Sequence, residues 1–219
     1  MAGKTYTWKS PSVLGNVVLA VMVLNLAILS VSILVGATYG AAAFYTGDEE
    51  TPTDPQLLRA FLDLLTGIGL LACLVIPFWI VRVSKNARSF KRDLRISPWG
   101  GIGWYLVPIM CLFKPYEAMT EIWRASEITP AKTQDHLLIL WWVSFLFSGM
   151  LSSVALIIQR SEPAPALQIG DDVMGLIAGL IFMTLVWRLT RLQTRKHAAW
   201  VEAGAPGQPK PGPLEAVAG

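Results

Sequence analysis

Four long stretches of this chain carry almost no charge: about Val13 to Tyr45, Leu57 to Val83, Leu137 to Ile158 and Val173 to Trp187. Arg59 and Asp63 interrupt the second near its start, and Arg82 stands at its end. A helix rises roughly 1.5 Å per residue, so about twenty apolar residues match the ~30 Å hydrocarbon layer of a bilayer. One soluble core of 219 residues could bury many apolar side chains, but not several separate runs of this length. Composition agrees: 53% of residues are hydrophobic and 15% charged, against about 25% charged in soluble domains. The expected fold is all-α, a polytopic four-transmembrane-helix bundle forming one membrane domain over 1–196, followed by a disordered cytoplasmic tail over 197–219.

The first run is twice the length of a signal-peptide core, roughly 7–15 residues, so an uncleaved helix is expected. It also exceeds the bilayer and should tilt or project. Cys73 and Cys111 both lie in apolar stretches and suggest no disulfide framework. With His136 and His197 the only histidines, a four-histidine haem bundle is excluded and no metal site is expected.

The stretch from Trp99 to Phe113 is apolar but short, and contains Gly100, Gly101, Gly103 and Pro108 before Lys114-Pro115. A run of 10–14 apolar residues is more often re-entrant or interfacial than spanning. Tyr116 to Glu127 then has Glu117, Glu121 and Arg124 on one helical face and Met119, Ile122 and Trp123 on the other. The segment 99–127 is therefore expected to enter the lipid and return by the same face. That arrangement puts the basic segments after Trp79 and after Trp187 on one side, as the positive-inside rule requires. It also gathers Trp8, Trp79, Trp99, Trp104, Trp123, Trp141, Trp142, Trp187 and Trp200 at one interface, where tryptophan is favoured. Both termini are expected in the cytoplasm.

The motifs Phe78-Trp79-Ile80-Val81-Arg82, Asn86-Ala87-Arg88, Ser97-Pro98-Trp99, Gly103-Trp104-Tyr105, Pro108, Lys114-Pro115-Tyr116 and Glu121-Ile122-Trp123-Arg124-Ala125-Ser126 resemble a bacterial family catalogued as domain of unknown function 4328. The resemblance covers roughly Leu57 to Lys196 and is most specific between Trp79 and Ser126. It implies a bacterial inner-membrane protein in which Trp79–Ser126 forms one structural unit, and it implies no activity.

Candidate site residues follow from charge and polarity. Lys85, Arg88, Arg92 and Arg95 fall within one quadrant of a helix continued past Trp79. With Trp79 and Trp104 they form a candidate face for anionic lipid or an acidic partner, at roughly 1 kcal/mol per basic residue. The competing reading is a plain positive-inside anchor. Arg59 and Asp63 are spaced to pair on one helix face, either lining an ion path or snorkelling at the interface. Asn16 and Asn25 are expected to bond across helices. Gly36-x-x-x-Gly40, Ser144, Ser148 and Ser152, and Gly175-x-x-x-Gly179 suit close helix packing, within one chain or between two copies. Gly103, Pro108 and Pro115 mark a broken helix of the kind that binds substrate in some transporters. No nucleophile, hydrolase or phosphate-loop signature occurs, so no catalytic residue and no cofactor is expected. The expected function is a non-enzymatic accessory protein whose basic, Trp-rich face meets anionic lipid or a protein partner, with no nucleic acid. The alternative is a small transporter or channel using Gly100–Pro115.

Overall fold

A computed structural model describes residues 6–39, 55–91, 93–128, 135–158 and 165–204; the side chains of some residues near the far helix ends, Arg59 among them, lie outside that description. Six helices follow in order: α1 Ser12–Tyr39, α2 Pro55–Phe90, α3 Gly100–Gly103, α4 Lys114–Ser126, α5 Asp135–Ile158 and α6 Pro165–Glu202. Two 3-10 turns, Trp104–Leu106 and Met110–Leu112, join α3 to α4. No strand occurs among the described residues. Four of the helices, α1, α2, α5 and α6, are long and apolar enough to cross a membrane.

Helix α6 is the spine, packed along α1 on one side and α5 on the other, while α2 lies against α1. Helices α1 and α5 are apolar on every side, as suits helices facing lipid as well as neighbours. Leu34, Leu70, Leu74 and Ile157 are each more than 60% exposed. So much bare hydrocarbon along four parallel rods is stable in lipid, not in water.

At 36 and 38 residues, α2 and α6 measure about 54 and 57 Å at ~1.5 Å per residue. Both outrun the ~30 Å hydrocarbon layer, and both overhang at the same end. There Trp79 donates its indole N–H to Thr190 at 3.3 Å, and Gly15 lets α1 approach that threonine so closely that a Cβ would lie 2.8 Å from its Oγ1. Residues expected in a disordered tail, His197 to Glu202, are helical. Trp8 stacks on His197 at 3.7 Å between ring centres and Trp200 sits edge-on to Phe90, so aromatic contacts extend α6. Helix α6 also begins at Pro165, which takes Asp171 and Asp172 out of the expected loop and into the helix. The Thr46–Asp54 part of the acidic loop and the tail beyond Gly204 lie outside the described residues.

The connection from α2 to α5 leaves and returns at the end that carries the N-terminal segment and the end of α6. Trp142 near the start of α5 donates to the Leu112 carbonyl at 2.9 Å, and Ser126 at the end of α4 meets Gln193 of α6. Helix α4 is amphipathic as its pattern predicts: Met119, Ile122 and Trp123 are buried, Glu117 and Arg124 exposed. Pro115 suits the first turn because it has no N–H to leave unpaired, and Glu117 in that turn and Arg124 in the last suit the helix dipole. Single-cysteine labels at Lys91, Glu127 and Glu202 in membrane vesicles should all react from one compartment. Label at Lys91 and Glu127 from opposite faces would contradict this topology.

Candidate functional site

The core lies almost wholly at the Trp-rich end. Trp79, Trp123, Leu138, Leu185 and Leu189 are fully buried there, with Phe182 against both Trp79 and Trp141. Trp141, Trp142 and Phe145 extend the aromatic layer to Tyr105. Burial pushes the Tyr105 phenol above its ordinary range, so it stays neutral.

Within this end runs a closed amide network. Asn86 of α2 receives the Lys9 backbone N–H on Oδ1 at 3.1 Å and returns a bond to the Lys9 carbonyl at 2.8 Å. Its second N–H goes to Gln193 Oε1 at 3.1 Å. Gln193 in turn donates to the Val83 carbonyl at 2.8 Å and to Ser126 Oγ at 3.0 Å, and Ser126 donates to the Ile122 carbonyl. Both amides use both N–H groups and their oxygen, which is the condition for burying them without loss. The network fastens an extended segment, residues 6–9, across α2 and ties α2, α4 and α6 together.

Two cations are spent on backbone. Arg88 donates to the Leu94 and Ile96 carbonyls, folding the chain back after α2, while Glu121 accepts the Ile96 N–H at 3.2 Å. Lys196 donates to the Ala125 and Glu127 carbonyls, both at 2.7 Å, closing the end of α4.

These contacts leave a cavity of about 550 Å³ between the 6–9 segment, α2 and the 97–99 turn. Lys9, Arg82 and Lys85 line it with Tyr6, Ser97 and Trp99. The Lys114–Glu117 ion pair, at 2.6 Å, lies outside the cavity lining, and the described residues form no ion pair within it. None reaches Lys9, Arg82 or Lys85. The cavity is thus a concentration of positive charge with hydroxyls beside it, suited to an anion.

The predicted basic quadrant survives only in part. Helix α2 ends at Phe90 because Arg88 turns the chain, so Lys85 and Arg88 lie on it while Arg95 is exposed in the following bend. Arg92 lies outside the described residues. Trp79 is core rather than binding surface, and Trp104 is half-buried. Lys9 and Arg82 are the residues that sequence reasoning missed. Arg82 is one turn before Lys85 on the same helix, a usable signal; Lys9 arrives through Asn86, which no local pattern announces.

Asp63 and Asn16 are exposed and Asn25 half-buried. Among the described residues neither asparagine makes the expected bond across helices. Close packing is carried instead by Gly175 and Gly179, where a Cβ would meet Leu29 at 3.5 Å and Leu26 at 2.5 Å of α1. That stripe is occupied within the chain. Ser152 donates to Asp171 at 2.7 Å and Ser32 to Asp172 at 3.2 Å, placing these acids at the far end. Gly103 and Pro108 are exposed and Pro115 is buried at the start of α4. Gly40 lies outside the described residues.

The fold and its charged end define a multi-pass, all-helical membrane protein with a Trp-rich polar cap. The family description of domain of unknown function DUF4328 matches residues 48–192, more than half of the chain, and the protein belongs to that family. No curated protein and no solved structure matches it.

Replacing Asn86 by Ala strands the Lys9 backbone groups and one Gln193 oxygen, at about 1–3 kcal/mol per unsatisfied buried group. The apparent melting temperature in detergent should fall and residues 6–9 should become sensitive to protease. Asn16→Leu, on the exposed helix surface, should change stability by no more than ~0.5 kcal/mol. An Asn86→Ala protein melting with the parent would refute the network's role.

Proposed function

We propose that this is a non-enzymatic accessory protein of the bacterial cytoplasmic membrane, with its termini in the cytoplasm and its Trp-rich end bound to anionic lipid. One observation carries the reading: among the described residues every Lys and Arg except Arg59 belongs to the segments at that end, alongside all nine tryptophans. The opposite end holds Asp63, Asp171 and Asp172. Anionic headgroups attract basic residues held near the membrane surface, and tryptophan rings suit the same depth. Leu106, Ile109 and Phe113, each more than half exposed, supply an apolar wedge that fits insertion into the same leaflet.

Transport through the broken element gains little from the placement of Gly103 and Pro108 on the outside of the bundle. Ile109 takes φ 66° there, a conformation strained for a β-branched residue.

Native mass spectrometry of the full chain in a zwitterionic detergent tests the reading. Phosphatidylglycerol should be retained several-fold over phosphatidylcholine, and the preference should shrink as the Debye length falls from about 10 Å at 0.1 M salt to about 3 Å at 1 M. Equal retention of the two lipids removes the proposal.

A further inference from the structure

We propose that the cavity beside Lys9, Arg82 and Lys85 binds one lipid phosphomonoester, an amphiphile ending in a terminal phosphate. The inference rests on the preceding reading that this end meets anionic lipid, and adds a single defined site with a headgroup preference.

The first argument is charge. Three basic residues from two segments far apart in sequence line one cavity, and none has a carboxylate partner among the described residues. A phosphodiester headgroup brings a single charge, whereas a phosphomonoester carries about −1.5 to −2 at pH 7. The site therefore discriminates between them by the second charge. Tyr6 and Ser97 add hydroxyls suited to phosphate oxygens.

The second argument is size and preparation. The cavity holds about 550 Å³, within the roughly 300–1,000 Å³ of small-ligand sites. Asn86, which lines it, holds Lys9 in place by two hydrogen bonds to the backbone. Arg88, the other cation nearby, is already turned onto carbonyls and stacks near Tyr6 at 5.9 Å.

The third argument places the tail. Phe78, Arg82 and Lys85 fall on one face of α2 by their spacing. Phe78 is 58% exposed and Val13, in the first turn of α1, is 74% exposed. Apolar surface thus begins one turn from the cations. A free phosphate ion uses only the cationic half; an acyl or prenyl chain uses both. Trp99, 60% exposed, stands at the border.

The test uses full-chain protein in mild zwitterionic detergent, titrated with dioctanoyl phosphatidic acid, dioctanoyl phosphatidylglycerol, dioctanoyl phosphatidylcholine and inorganic phosphate, followed by native mass spectrometry and tryptophan fluorescence. Phosphatidic acid should bind about tenfold more tightly than phosphatidylglycerol, roughly 1.4 kcal/mol, with one lipid per chain. Its affinity should fall as pH drops through about 6, where the second phosphate proton returns, while that of phosphatidylglycerol stays level. Arg82→Gln with Lys85→Gln should abolish the difference, and Arg191→Gln with Arg195→Gln should not. Should the double pocket variant fail to fold, Lys85→Gln and a Lys9→Gln variant should each lose several-fold. Equal affinity for the two anionic lipids overturns the phosphomonoester site but leaves the anionic face. Inorganic phosphate binding as well as phosphatidic acid overturns the lipid assignment. Phosphatidylcholine binding as well as either removes both readings.

Discussion

The pairing of Asn86 with Gln193, deep among α2, α4 and α6, is the interaction on which the Trp-rich end depends. Two side-chain amides buried side by side are costly unless each donor and acceptor is used. Here they are all used, and three of the partners are not side chains of the bundle at all. Two are backbone groups of Lys9 and one is the Val83 carbonyl. The amides therefore convert an extended N-terminal segment into part of the wall, and set its distance from α2. Hydrophobic contacts alone give no such register, since lipid and helix side chains are equally apolar and helix association in a bilayer leans on packing and hydrogen bonds.

The four apolar helices and the short helical connection between the second and third of them were legible in the sequence because each follows from a one-dimensional quantity. Run length against bilayer thickness, loop charge and tryptophan position need no tertiary contact. The amphipathic face of α4 was legible for the same reason, through the spacing of Met119, Ile122 and Trp123. What stayed hidden were features that depend on distant partners. Helix α6 runs on to Glu202 because Trp8 and Phe90 cover His197 and Trp200, and the stretch His197–Glu202 does not by itself reveal such cover. Helix α2 stops at Phe90 because Arg88 bonds carbonyls six and eight residues ahead, so a quadrant drawn by extending the helix overshoots. Asn16 and Asn25 looked like interhelical glue, whereas the polar residues that hold the helices together are Asn86 and Gln193, in segments whose charge marked them as surface.

Basic residues at this end perform two kinds of work, and the difference lies in geometry rather than in count. Arg88 and Lys196 face carbonyl oxygens at turns and helix ends, where they satisfy acceptors the backbone leaves open. Lys9, Arg82 and Lys85 face a shared cavity instead. Local sequence accounts for the presence of all five, each in a helix flank or the segment beside it. It gives no reason for a lysine from before the first helix to sit with two cations from the end of the second. Like charges gathered without a counterion repel one another, so the arrangement gains stability from an anion in the cavity. With Val13 and Phe78 both exposed beside that end, an anion that carries its own hydrocarbon meets charge and apolar side chains at once.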